Sequence, residues 1–326
     1  MRRRSFIAGA SSLIAWSVPA LAQDASPPLI GFLRNTSQES SQEFVSAFRQ
    51  GLAGLGFVEG QNVRVEYRWA NDRNERLSEL ATDLVARQVR VIVAGGGSAT
   101  ARAAKAATQT IPIVFELGGD PVALGLVPNL NRPGGNVTGI ALFSNTIMSK
   151  RVQILFELVP DAHVIGVLTN PPNPNAAAEG DQAKEAGRAL GKEVALLSAS
   201  RETEIENRFA AMAKSGVAAV IVTASPLFVA RRDQIISLAA RYRLPTMFPF
   251  RSFVKAGGLV SYGDSLVDAF RQTGNYAGRI LRGEKAGELP VMQSTRFELV
   301  INRRTASALK LNISPTVLAT ADEVIE

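Results

Sequence analysis

Cysteine is absent from this 326-residue chain, histidine occurs once, at His163, and aromatic residues make up only 6%. Without cysteine there is no disulfide, thiol nucleophile, cysteine-bound zinc, iron–sulfur cluster or cysteine-linked lipid anchor. A single histidine excludes a multi-histidine metal site and leaves little room for a Ser-His-Asp triad. Lying just after Pro160 and Asp161, His163 reads as a surface or strand-edge residue without chemistry. No P-loop lysine and no pair of carboxylates at motif spacing is present, so no cofactor is expected. No run of five like charges occurs, and aromatics do not interleave with basic clusters, so nucleic acid is not an expected partner. What remains is 46% hydrophobic and 20% charged, an ordinary globular composition with length enough for two domains.

The net charge of +7 needs locating before it is interpreted. Arg2, Arg3 and Arg4 precede an apolar, small-residue run from Phe6 to Leu21, and Ala20-Leu21-Ala22 before Gln23 is an A-x-A cleavage signature. The run is shorter than the ~20 apolar residues that span a bilayer. Residues 1–22 therefore read as a signal peptide cleaved after Ala22, with no anchor left behind and the periplasm as destination. Arg3-Arg4-Ser5-Phe6-Ile7 is similar to a twin-arginine export core, but Arg2 and Ala8 depart from that pattern, and Sec export stays open. Removing three arginines and no acid lowers the excess from seven to four, too little and too dispersed to define a partner.

From Pro28 onward short apolar runs alternate with segments of helical period. Strands are predicted at Leu29–Leu33, Asn62–Trp69, Val89–Ala94, Ile111–Phe115 and Asn136–Phe143, with helices at Gln42–Leu55, Glu75–Arg87 and Ala99–Thr108 between them. The pattern restarts with helix Met148–Leu158 and strand His163–Thr169. It continues through helices Ala176–Leu190, Glu202–Ser215 and Arg231–Tyr242 and strands Glu193–Leu197, Ala218–Thr223, Pro245–Phe248 and Gly258–Tyr262. Helix Leu266–Arg282 and strand Phe297–Ile301 close it. Such alternation demands parallel sheets covered by helices on both faces. About ten units exceed one open sheet, so the expected fold class is α/β with two doubly wound parallel-sheet lobes. Each lobe then offers a ligand-facing edge at the carboxyl ends of its strands.

Several stretches invite a functional reading beside a plainer one. Gly95-Gly96-Gly97-Ser98-Ala99-Thr100 ends a strand and opens a helix. It suits an anion held by the Ser98 hydroxyl, free backbone N–H groups and the positive helix end, or simply a tight turn. As a dinucleotide fingerprint it has Thr100 where glycine is needed, although Glu116 lies about twenty residues on, as a ribose-binding acid would. Gly118-Gly119-Asp120-Pro121 lets backbone approach a ligand, and Asp120 can accept from an ammonium group, cap a helix before Pro121, or do both. Asn170-Pro171-Pro172-Asn173-Pro174 offers amides to a polar ligand or forms a rigid capped loop. Phe248, Phe250 and Tyr262 at strand ends either stack on a solute or fill the core. Asn131 to Gly139 reads as a crossover between lobes.

Taken in order, further stretches resemble one family. Gly51-Leu52, Glu59-Gly60-Gln61-Asn62-Val63, Glu66-Tyr67-Arg68-Trp69, Gly119-Asp120-Pro121-Val122 and Asn129 to Gly139 are similar to ABC-transporter substrate-binding proteins of the tryptophan/tyrosine-binding type. So are Ala256 to Gly263, Phe297 to Asn302 and Ala321 to Glu326. The resemblance covers essentially all of the chain after the signal peptide. It implies a type I periplasmic-binding-protein fold, with lobes joined by a three-strand hinge and the ligand between them. The implied boundaries are 23–143 with 263–290 for one lobe and 144–262 with 291–326 for the other. By the same resemblance Thr36, Ser98, Gly119 and Asp120 lie on the first lobe's cleft edge, and Asn170, Ser225, Phe248 and Tyr262 on the second lobe or hinge. The family often has Tyr where this chain has Phe248, so a ring is kept and a hydroxyl lost.

The expected protein is thus a monomeric solute receptor of an ABC importer, not an enzyme. It would bind a small carboxylate-bearing solute, an aromatic or branched amino acid or related organic acid, and hand it to an inner-membrane permease. A ligand sensor on the same fold and a nucleotide-dependent reductase using Gly95 to Thr100 are the alternatives.

Overall fold

Apolar runs buried on both sides become strands here, and the amphipathic segments between them become their covers. The computed structural model describes residues 26–142, 147–173, 175–294 and 297–326; the expected signal peptide, Phe143 and Pro174 lie outside them. The first half runs β1 (Leu29–Arg34), α1 (Gln42–Ala53), β2 (Arg64–Trp69), α2 (Leu77–Ala86), β3 (Val91–Gly95), α3 (Ser98–Ala107), β4 (Ile113–Leu117) and β5 (Val137–Ala141). The second runs α4 (Met148–Leu158), β6 (Val164–Thr169), α5 (Ala176–Ala189), β7 (Glu193–Ser198), α6 (Glu202–Lys214), β8 (Ala219–Val222), α7 (Pro226–Ala230), α8 (Arg232–Arg241), β9 (Thr246–Phe248), α9 (Arg251–Lys255) and β10 (Val260–Asp264). The chain then returns through α10 (Leu266–Leu281) and β11 (Met292–Gln293), and ends with β12 (Phe297–Asn302), α11 (Arg303–Ala308), α12 (Pro315–Ala319) and β13 (Glu323–Ile325).

Two sheets result, ordered β11-β5-β4-β3-β1-β2 and β13-β12-β10-β9-β8-β6-β7. Side chains alternate across each strand, so Ile30 and Phe32 of β1 pack with Phe44 and Phe48 of α1 and Phe270 of α10. Leu33 faces the other way, toward Ala81 and Leu84 of α2 and Ala101 and Ala104 of α3. In the second sheet Val167 joins the layer under α4 and Leu168 the layer under α6 and α8. Each lobe is thus wound on both faces.

The parallel expectation needs one correction: β12 pairs with β10 antiparallel. The reason is the route of the chain. β10 ends at the edge facing the other lobe, the chain leaves for α10, and on return it enters the second sheet from that same edge. Gly263 and Asp264 pair within the second sheet, while Met292 and Gln293 pair with β5 of the first. Among the described residues no helix is long and apolar enough to cross a membrane.

Candidate solute-binding cleft

The carboxyl ends of β1, β3 and β4 face those of β6, β8 and β9, and a cavity of about 130 Å³ lies between the lobes. Arg34 at the end of β1, Asn35 and Thr36 after it, Gly96 to Ser98 after β3, and Glu116 and Gly118 at the end of β4 form its first-lobe wall, with Leu266 opening α10. Asn173, Ala224 to Pro226, Val229 and Phe250 form the second-lobe wall. The lobes touch beside it. The Asn175 amide donates to the Gly118 carbonyl, and the Lys255 ammonium lies 3.1 Å from a Glu43 carboxylate oxygen.

Arg34 ends an otherwise uncharged strand, and its guanidinium sits between two rings, 4.5 Å from the centre of Phe44 and 4.7 Å from that of Phe270. Those contacts suit a cation over an aromatic face. Its Nε donates to Thr36 Oγ1 at 2.8 Å, and Thr36 is bonded in turn to Ser41 at 3.0 Å. One terminal nitrogen of Arg34 is buried with no partner among the described residues. Burial lowers the Arg34 pKa to about 10, against the opposing fields of Glu116 and Asp72. The group therefore stays charged at neutral pH while lacking a bonded anion.

Beside it the glycine loop opens α3. Gly96 has φ +95°, and a Cβ there would fall 2.0 Å from Asn35 Oδ1, so only glycine fits. Gly97 is the N-cap, at φ +106°, and no side chain caps the helix. The first N–H groups of α3 thus remain available, as helix starts leave them, and the helix dipole favours an anion there. Gly96 N–H donates to Glu116 Oε2 at 2.9 Å. Glu116 is buried, and burial pushes its carboxyl up while Arg34 and the Gly96 N–H pull it down.

Three of the residues expected at the cleft line the cavity: Thr36, Ser98 and Ser225. The Ser225 hydroxyl also caps α7 by accepting from Phe228 N–H at 3.1 Å. Gly119 stands just outside, packed toward Asn175 of the opposite lobe. Asp120 is exposed and accepts from Val122 N–H at 2.8 Å, in a run of turns where no helix forms. Asn170 is buried but donates to the Ala199 carbonyl within its own lobe at 2.8 Å. Phe248 is core, its ring 4.9 Å from that of Phe253, and Phe250 two residues on is the aromatic that reaches the cavity. Tyr262 packs on Phe297 at 6.0 Å, away from the cavity. His163 is exposed.

Arg34 and Asn35 are the polar groups whose place at the cleft was not anticipated, while Asn173 is the amide of the Asn170–Pro174 stretch that lines it. For Arg34 a signal existed: a charge closing a buried parallel strand stands at the edge where ligands bind. Glu116, inside the run Ile113–Leu117, carries a similar mark. In its place the carboxyl braces the glycine loop, and the cavity is far too small for a dinucleotide.

Residues 30–325 match the family model described as ABC transporter substrate binding protein. The chain is 25% identical over 282 residues to the tyrosine-binding protein of Clostridioides difficile strain R20291, covering 86% of this chain and 81% of that one. A conserved domain protein from Vibrio cholerae O1 biovar El Tor superposes with a TM-score of 0.83 at 26% identity, covering 91% and 99% of the two chains. The ABC domain from Streptococcus pneumoniae in complex with L-Trp gives 0.83 at 24% identity over 92% and 100%, a likeness of fold. The chain belongs to the ABC transporter substrate-binding proteins, extracytoplasmic receptors that bind a small solute for a membrane permease and transform nothing.

Proposed function

We propose that the cleft binds a small carboxylate-bearing solute, an aromatic or branched amino acid or related organic acid. The observation that carries this reading is the buried Arg34 guanidinium at the cavity wall, one terminal nitrogen of which has no partner among the described residues, next to the uncapped start of α3. A buried charge without a bonded partner is costly, and a carboxylate supplies the missing acceptor twice over, to Arg34 and to the N–H groups and hydroxyl at Ser98. Thr36 holds Arg34 in place, and Ser225 and Phe250 close over the solute from the second lobe.

Size narrows the class. A cavity of about 150 Å³ holds one benzene, so 130 Å³ suits one ring or a branched chain, its carboxylate seated against the lining donors. The named ligands of the two relatives, tyrosine and L-Trp, support an aromatic side chain. In this reading residues 1–22 direct export by the Sec or twin-arginine route, cleavage follows Ala22, and the receptor works in the periplasm with an inner-membrane permease. Hinge closure of the lobes buries the solute.

The test is a thermal-shift and calorimetric screen of the chain from Gln23 with tyrosine, phenylalanine, leucine, tryptophan and their organic-acid analogues. A true solute raises stability by mass action, about 2.7 kcal/mol at one hundred times its Kd. No response to any carboxylate would sink the ligand class.

A further inference from the structure

A second, smaller void of about 20 Å³ lies beside the solute cavity, where the lobes join. Glu43 and Phe44 of α1 close it from the first lobe, and Phe250, Arg251 and Asp264 from the second. Phe250 and Leu266 line both spaces and so form the partition between them. Asp264 is the last residue of β10 and is level with Phe297, the first residue of β12. It therefore stands where the chain leaves the second sheet and where it returns. Its carboxylate is buried, and neither oxygen has a hydrogen-bond partner among the described residues. Arg151 runs alongside, since a Cβ on the adjacent Gly263 would lie 3.2 Å from one of its terminal nitrogens. That one guanidinium is shared, because it also faces Glu179.

The groups around Asp264 divide by lobe. Arg151 of α4, Glu179 of α5, Arg251 of α9, Tyr262 of β10 itself and Glu298 of β12 belong to the second lobe and keep their places beside it when the lobes part. Arg251 is in turn paired with Glu323 of β13. Phe44 and Glu43, the latter paired with Lys255, and Glu116 of β4 belong to the first lobe and withdraw. Opening then admits water to the Asp264 carboxylate and removes a like charge that faces it. Both changes relieve a penalty on its ionised form. Burial is the main cause that raises the Asp264 carboxyl to about 6; Ser294 and Arg151 hold it back, and Glu116 adds to the rise. Glu116 has Arg34 and the Gly96 N–H of its own lobe for support. Glu179 is raised too, but among second-lobe groups, Arg151 and Thr223, which do not part on opening. The one histidine, His163, precedes β6 at the end of that strand remote from the cleft.

We propose that Asp264 makes the hinge sensitive to protons: closure of the lobes takes up one proton on its carboxylate, and opening returns that proton to water. The sign follows from linkage. A carboxyl whose pKa is higher in the closed form favours that form in acid, and the advantage is lost as pH rises through the closed-form value. Solute is therefore held more firmly in a mildly acidic compartment and released more readily in a neutral one. The device acts on the lobes themselves, so it does not depend on which solute the cleft takes.

The absence of cysteine makes the experiment direct. Thr82→Cys on α2 and Glu185→Cys on α5, both exposed and on different lobes, carry spin labels in the solute-free chain from Gln23. Pulsed electron paramagnetic resonance then reads the distance between the lobes from pH 5 to pH 8. With a closed-form value of about 6 and an ordinary carboxyl in the open form, the closed-to-open ratio should be about tenfold higher at pH 5 than at pH 8. In Asp264→Asn, which resembles the protonated form at every pH, the ratio should vary by no more than about twofold. In Glu116→Gln the transition should move to lower pH, with thermal melts reporting that each variant is folded. Distances in the labelled protein that ignore pH overturn the proposal without recourse to either variant. Full pH dependence in Asp264→Asn overturns it as well, by assigning the proton to another group. No solute is present, so neither result bears on the carboxylate reading of the cleft.

Discussion

Arg34 shows how one residue brings a charge from a strand end to the wall of the cleft. The five residues before it are uncharged and belong to the buried part of the sheet, and the strand's last position falls at the open edge, where a long side chain can lie between rings and still reach a solute. Replacing it by Met keeps the stem and removes the charge. Arg34→Met should raise the solute Kd at least about 30-fold while changing the solute-free melting temperature by no more than about 3 °C. The guanidinium lacks an anion in the folded protein and so adds little to stability. A large drop in melting temperature with unchanged affinity would make Arg34 structural. The comparison of Phe248 with Phe250 carries the same lesson. Both rings close the same apolar segment, and two positions decide between core and cavity, because Phe248 still lies within β9 and Phe250 lies past its end.

Among elements, the long helices and strands are readable because their periodicity spans two or more turns or a full buried run. The short ones escape. α7, α11 and α12 have five or six residues and depend on the caps Ser225, Asn302 and Ser314, whose side chains accept from Phe228, Thr305 and Val317 N–H. No hydrophobic period develops in one turn. The contact of α1 with α10 is equally hidden, since it joins residues more than two hundred positions apart. A Cβ on Gly51 would lie 1.9 Å from the Arg271 carbonyl oxygen, and one on Gly274 would lie 2.1 Å from that of Phe48. The two helices therefore meet backbone to backbone, and neither glycine is needed for a turn. Gly274→Ala should cost about 1–3 kcal/mol of stability, read by chemical denaturation. It should also weaken solute binding, because α10 carries the Phe270 ring that holds Arg34. A neutral effect would mean the helices separate without consequence.

At the scale of the whole molecule, a second charged group sits where the lobes connect. Arg151 of α4 is fully buried, its Nε donates to the Tyr262 carbonyl at 2.7 Å, and Glu179 and Asp264 supply its opposing charges. It thus ties the helix after the first crossing to the strand before the second. Burial pushes the Glu179 carboxyl up to about 7 and that of Asp264 to about 6, each held back by Arg151. A carboxyl whose pKa is raised on folding holds protons that the unfolded chain releases, so its contribution is present below about 4.5 and lost as pH rises through about 7. Glu179→Gln mimics the protonated form at every pH. The melting temperature of Glu179→Gln relative to the unsubstituted protein should therefore climb between pH 5 and pH 8. A difference independent of pH would show that Glu179 is charged in the fold throughout.

The sequence by itself determined the alternation of strands and helices, the division into two doubly wound lobes and the edge on which a ligand must sit. These follow from local period and from the burial of each element's apolar face, which neighbouring residues settle among themselves. Only the tertiary structure decided which polar side chains meet at that edge. Arg34 and Glu116 come from strand ends of one lobe and Asn173 and Ser225 from loops of the other, and whether each faces the solute or its own lobe depends on partners distant in the chain. For the same reason β12 runs antiparallel, the Asp120 carboxylate turns onto the Val122 N–H, and Tyr262 serves the hinge through its carbonyl. Electrostatics and register act across space, and no stretch of sequence contains both members of those pairs.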